Sequence, residues 1–187
     1  YVWSKSGGFG FALPSLDVTH DKFVVNSALE LILNHLKTLL PNLKEINFPS
    51  DGAASQFKQR YHFRNLVQLA SEYKISMNWC FFATSRGKGT VDAIGGVVKR
   101  VVWSAVLGGE VCRSAADFVR IAKKKSNSLI LMEITKNHID NSKLKLENIF
   151  KATKHVPETL KSHSVKVIDR NSIEPRYYSL SSGKKSY

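Results

Sequence analysis

The sequence is short of several residue types on which whole structural classes depend. Of its 187 residues only Cys80 and Cys112 are cysteine. They form no CxxC pair and no Cys/His cluster, which excludes a disulfide-dense scaffold and a thiolate zinc site. Cys80 lies in an apolar, strand-like run and Cys112 beside an expected helix, so both read as core thiols. No run of about 18 apolar residues occurs, which excludes a helical membrane span. Residues 1–10 carry neither a basic n-region nor an apolar h-region, so no secretion signal is read there. The expected location is nuclear or cytoplasmic, without secretion. The chain also lacks an initiator Met and opens inside an aromatic, strand-like stretch, from which we expect a segment of a longer polypeptide. No internal repeat is visible.

Acidic residues are scarce as well: 15 Asp and Glu stand against 28 Lys and Arg, a net charge of +13. An excess of that size predicts attraction to a polyanion. It is also uneven, with 10 basic and 7 acidic residues in 1–92 but 18 and 8 in 93–187. The alternative is a solvated basic surface. With 43% hydrophobic and 23% charged residues, the composition is that of a globular domain, alone or with one appendage.

Periodicity supplies the elements. Residues 1–16, aromatic and glycine-rich around Gly7 and Gly8, predict two short strands about a turn. Apolar residues from Phe23 to Leu39 follow i, i+3, i+4 spacing before Pro41, which predicts an amphipathic helix over 22–40. A strand at 44–48 runs into Pro49-Ser50-Asp51-Gly52, which sets Asp51 at a strand end, where open α/β sheets gather functional groups. Helices are expected at 53–74, 91–107, 114–124 and 144–153, and strands at 75–83, 129–135, 165–168 and 176–180. Gly95-Gly96 weakens the helix at 91–107 and is expected to permit close backbone approach. This order predicts an α/β domain with a mixed sheet, divided as a core over 1–135 and a basic C-terminal extension over 136–187.

Three features carry candidate chemistry. The loop Thr84-Ser85-Arg86-Gly87-Lys88-Gly89-Thr90 looks like a phosphate loop but lacks the first glycine of G-x-x-x-x-G-K-[ST], and Gly89 separates Lys88 from Thr90. Its glycines and two cations still suit a phosphodiester. Asp51 and Asp92 are carboxylates at expected strand-to-helix junctions, a type that holds magnesium in phosphoryl transfer. The competing reading gives Asp51 a turn with Gly52 and Asp92 a helix cap. Lastly, Lys99, Arg100, Arg113, Arg120, Lys123, Lys124 and Lys125, with Trp103 among them, form a phosphate-tracking surface if they share a face. The alternative is a solvated face with Trp103 in the core. His138, His155 and His163 are too scattered for a metal site, and Glu133, inside an expected strand, is a weaker candidate carboxylate.

The series Ser50-Asp51-Gly52-Ala53-Ala54-Ser55-Gln56-Phe57-Lys58, then Trp79, Phe81 and Phe82, then Gly87-Lys88-Gly89-Thr90-Val91-Asp92-Ala93-Ile94-Gly95-Gly96, resembles transposon-derived open reading frames of animal genomes. Those show SDG-x-x-SQFKN, W-x-F and HGKG-x-x-DG-x-GG-x-x-KR, and look like ribonuclease-H-like domains of DDE/DDD transposases. The likeness covers about residues 15–100, with a weaker match at His20-Asp21-Lys22. It implies a ribonuclease-H-like mixed sheet flanked by helices and lacking its first strand. It further implies Asp51 and Asp92 as catalytic, metal-holding carboxylates for Mg2+ or Mn2+, and DNA contacts from Lys58, Arg86, Lys88, Lys99 and Arg100.

Arg86 stands where the family has His, Ala93 where it has Gly, and Gln59 where it has Asn. Arg in place of His retains phosphate attraction but removes a possible ligand or proton carrier. The expected function is therefore a transposase-derived DNA-binding domain, related to metal-dependent strand cleavage and transfer but inactive as this chain. The alternative is a non-catalytic nucleic-acid or protein-interaction module that retains only the fold. DNA is the expected partner, a homo-oligomer a further option, and a membrane is not expected.

Overall fold

Seven strands and five helices are described in the computed structural model, over residues 1–19, 21–82, 89–126 and 128–177. In chain order they are β1 (Val2–Ser4), β2 (Gly7–Ala12), α1 (Lys22–Leu39), β3 (Glu45–Ser50), α2 (Arg60–Tyr73), β4 (Ser76–Phe81), α3 (Thr90–Leu107), α4 (Ala115–Lys125), β5 (Leu129–Leu131), α5 (Lys136–Lys151), β6 (Ser164–Val167) and β7 (Ile173–Arg176). The protein is α/β, as expected, but with two sheets in place of one, ordered β1-β2-β5 and β3-β4-β6-β7. Each sheet belongs to its own compact unit. The first unit comprises Tyr1–Thr19 and Lys88–Ile139, the second His20–Gly87 and Asp140–Tyr187. This division differs from the expected one at 135, because the C-terminal strand β6 pairs antiparallel with β4 (Trp79 opposite Val165) and so joins the second unit's sheet.

In the second unit α1 starts where the Asp21 carboxylate accepts from the N–H groups of Phe23 and Val24, at 2.9 and 3.1 Å, satisfying donors that no helical carbonyl reaches. Its i, i+4, i+7 residues Leu29, Leu33 and Leu36 are buried, as are Phe63, Leu66 and Leu69 of α2. Leu29 and Leu33 join α2 and alternate residues of β4, Met77, Trp79 and Phe81, in one core. Each such side chain contributes about 1.5–3 kcal/mol on burial. Strand β3 runs parallel to β4, with Ser50 opposite Phe81. It is an end strand of its sheet, which accommodates Pro49, a residue without a ladder donor.

Several expected boundaries shift. Helix α2 begins at Arg60, since the Ala53 carbonyl accepts from the N–H groups of Gln56, Phe57 and Lys58 and closes a turn first. Helix α5 begins eight residues ahead of expectation, where the Thr135 N–H donates to His138 Nδ1 at 3.2 Å and the His138 N–H to Thr135 Oγ1 at 3.3 Å, a reciprocal cap. Strand β5 ends at Leu131, so Glu133 lies beyond it. The last strand occupies Ile173–Arg176 in place of 176–180, of which 178–180 lie outside the described residues.

In the first unit the hairpin β1-β2 turns at Lys5 and Ser6, with Ser4 opposite Gly7, whose φ of 134° disfavours an L side chain. Strand β2 pairs parallel with β5. A Cβ at Gly10 would lie 2.5 Å from Leu129 Cδ2 and 3.2 Å from Ile94 Cδ1, so this glycine lets β5 and α3 close over β2. Val98 and Val102 of α3, Ile121 and Ala122 of α4, and Leu131 form the buried core there. Close approach at Gly95 and Gly96 is not seen: nothing among the described residues lies within 4 Å of a Cβ built at either.

Candidate functional site

The second unit presents Asp51 directly after β3, as the strand-end reading expects. The site rests on a hydrogen-bonded floor. Trp79 of β4, buried, donates from Nε1 to Ser50 Oγ at 2.7 Å, and that hydroxyl donates to the Asp51 carbonyl at 2.7 Å. The Phe82 N–H donates to the Ser50 carbonyl at 3.0 Å, extending the β3–β4 ladder to this point. Asp51 is exposed, and its Oδ1 accepts from the Ala53 N–H at 3.4 Å, the turn that competes with a metal role.

Lys58 reaches back over this turn. Its Nζ donates to the Leu160 carbonyl at 3.0 Å and stands 5.1 Å from the Phe81 ring centroid, and burial lowers its pKa from the ordinary lysine value. A Cβ on Gly52 would lie 2.9 Å from Lys58 Cε, so Gly52 leaves the lysine its path. The expected phosphate contact is thus a half-buried cation with an internal partner.

Beneath the turn lies a group that the motif left aside. His62 is 1% exposed, its Nε2 has no hydrogen-bond partner among the described residues, and burial pushes its pKa down to about 3. Its ring meets Trp79 edge-on at 4.3 Å and Phe57 at 5.7 Å, and Trp79 also stacks on Phe48 at 4.8 Å. Asn65, one helical turn on, is buried, and neither of its amide atoms is paired among the described residues. The signal was present in the sequence, because His62 is four and seven residues from Leu66 and Leu69 on the apolar stripe of α2.

In the first unit Asp92 is the third residue of α3. Its Oδ2 accepts from the Gly89 N–H at 3.4 Å, so the carboxylate acts as a helix cap and adds negative charge to the positive end of the helix dipole. It is exposed. Asp51 and Asp92 fall in different units. Among the described residues no group of three or more His, Cys, Asp or Glu side chains is placed to hold a metal ion.

The cationic series gathers on α3, α4 and the segment between them. Glu110 accepts from Lys124 Nζ at 2.7 Å and from Arg120 at 3.1 Å, and those hydrogen bonds hold its carboxyl below the ordinary value. Asp117 is held low by the Arg113 N–H, the Ser114 hydroxyl and Arg120. Lys99, Arg100, Arg113, Lys123 and Lys125 are exposed and form no ion pair among the described residues. Trp103 belongs to the surface as well: it is 64% exposed, which removes the reading that buries it in the core. Arg86 and Lys88, with most of the glycine loop, lie outside the described residues. Cys80 and Cys112 are both free thiols, each part-exposed.

Residues 3–179 match the model of a family described as Domain of unknown function (DUF8701). No curated protein and no solved structure matches the chain.

Proposed function

The chain belongs to the DUF8701 family, and we propose that it is a DNA-binding domain of transposase descent, ribonuclease-H-like in origin, that holds phosphates with α3 and α4 and cleaves DNA little or not at all. The observation that carries this reading is the set of five exposed cations, Lys99, Arg100, Arg113, Lys123 and Lys125, without carboxylate partners among the described residues. Unpaired surface cations release counterions from DNA on contact, a favourable term that falls with salt. Arg86 and Lys88 are proposed as further phosphate contacts, and Lys58 as a weaker one because its ammonium already donates to Leu160.

In an active domain of such descent, Asp51 and Asp92 would be among the ligands of Mg2+ or Mn2+. Here each has one carboxylate oxygen in a backbone turn or cap, which favours a binding role for this chain over strand cleavage. A purely non-catalytic module gains its support from the same two hydrogen bonds. DNA affinity and metal-dependent cleavage, measured together, separate the readings. Salt-sensitive duplex binding that survives Asp51→Ala and Asp92→Ala, without cleavage, is the expected result. Cleavage that needs added Mg2+ or Mn2+ and disappears in both variants would establish the enzyme instead.

A further inference from the structure

The first unit carries an open groove of about 480 Å³ between α3 and α4, lined by Lys99, Val102, Trp103, Val106, Cys112 and Phe118. Residues 99, 102, 103 and 106 follow i, i+3, i+4, i+7 spacing, so a single stripe of α3 makes one wall. Its apolar part, from Val102 to Val106, covers about 6 Å of helix axis. Cys112 and Phe118 supply the facing wall, and among the described residues Lys99 is the one charged side chain of the lining. The volume falls within the range that small-molecule-sized groups fill.

From this arrangement we infer that the groove accepts an unpaired base of single-stranded DNA, stacked on Trp103, with the flanking phosphates on Lys99 and Arg100. The inference rests on the DNA-binding reading and adds to it the strand state that is recognised. The residue types decide between occupants. A flat aromatic ring needs a polarisable face and a short apolar slot, and Trp103 with Phe118 provides both. Charge decides the rest: residues 89–126 hold seven basic and three acidic side chains, and two of those acids, Glu110 and Asp117, are held by Arg120 and Lys124. The charge of this segment therefore favours an anionic occupant over an amphipathic protein helix, whose anchors spread over i to i+7 need about 10 Å of apolar stripe. A base paired in a duplex has its faces covered by its neighbours, so the slot selects an unstacked one.

The test uses the full chain carrying Trp3→Phe. Trp3 is 65% exposed and Trp79 4%, so this background leaves Trp103 as the exposed indole reporter. The probes are oligo-dT, the same strand with abasic sites throughout, and a duplex of equal length. Oligo-dT is expected to quench the exposed indole. Trp103→Ala should weaken oligo-dT binding about 5- to 140-fold, the loss of one stacked base, while duplex binding and the salt slope stay unchanged. Trp103→Phe should restore most of the affinity.

Equal binding of abasic strand and oligo-dT, or an unchanged oligo-dT affinity in Trp103→Ala, overturns the groove assignment while salt-dependent duplex binding leaves the DNA reading standing. Absence of salt-dependent binding to all three probes overturns both. Self-association that is lost in Trp103→Ala, with no quenching by oligo-dT, also overturns the inference and assigns the groove to a second copy of the chain. Because Trp103 is exposed, the variant's unfolding transition should match that of its background, which confirms that any loss is one of contact.

Discussion

The Trp79 indole N–H donates to Ser50 Oγ at 2.7 Å, so a buried residue of β4 fixes the hydroxyl immediately before Asp51. The same oxygen donates to the Asp51 carbonyl. One serine thereby satisfies a buried indole and sets the backbone from which the exposed carboxylate projects.

Removing that oxygen leaves Trp79 Nε1 unpaired in the core. Ser50→Ala should lower stability by about 1–3 kcal/mol, the cost of one buried unsatisfied donor. Urea unfolding followed by tryptophan emission measures it. Ser50→Thr, which keeps an oxygen, should recover a large part, and equal losses in both variants would show that the hydroxyl's hydrogen bond is not the cause.

His62 gives the second unit an acid sensitivity. Burial lowers its pKa from 6.5 to about 3, so between those values the unfolded chain takes up a proton that the folded chain refuses. The unfolded state then binds more protons, and stability rises with pH across the window and falls on acidification below about 6.5. The loss approaches about 1.4 kcal/mol per pH unit well below that point. Denaturant midpoints measured from pH 7 to pH 5 should fall steeply for the native chain and less steeply for His62→Leu. Parallel slopes in the two proteins would exclude His62 as the source.

Lys145 of α5 donates to Glu30 of α1 at 2.7 Å and to Glu72 of α2 at 2.8 Å, bridging three helices of the second unit. Burial opposes the charged ammonium, but its hydrogen bonds to the two carboxylates win and raise its pKa. The triad is part-exposed, so solvent screening keeps its value small. Lys145→Met should cost about 0.5–1 kcal/mol at low salt. That difference should shrink as salt is added in a thermal melt, whereas a salt-independent loss would assign the effect to packing of the lysine stem.

Gly95 and Gly96 sit inside α3 with open space where a Cβ would stand. Each glycine in a helix interior costs about 0.8–1 kcal/mol relative to alanine. Gly95→Ala and Gly96→Ala should therefore each stabilise the chain by about that amount, read as a raised urea midpoint. Destabilisation by either would mean that the position is crowded.

Local patterns were legible in the sequence where a single face or a single cap decided them. The spacing from Phe23 to Leu39 identified α1, and Ser50-Asp51 was correctly placed at a strand end, because period and turn chemistry are properties of neighbouring residues. Pairing between distant segments was not legible: the union of β4 with β6 depends on Val165 meeting Trp79, which no local pattern encodes. The start of α5 was missed because its cap uses His138 in a role usually taken by Glu or Gln. Trp103 was ambiguous for a different reason. The apolar residues of α3 extend around much of the helix, and only the packing of Val98 and Val102 against α4 tells which side faces inward.

The most direct test of DNA binding through α3 and α4 is the salt dependence of duplex affinity, measured by fluorescence anisotropy from about 50 to 200 mM salt for the native chain and for Lys99→Gln/Arg100→Gln. DNA binding through α3 and α4 predicts that log K falls linearly with log salt. Five engaged cations would give a slope near −4.5, and the double variant should be shallower by about 1.8, or 0.9 per lost phosphate contact. A native affinity that does not change with salt, or a double variant with the native slope, would contradict it.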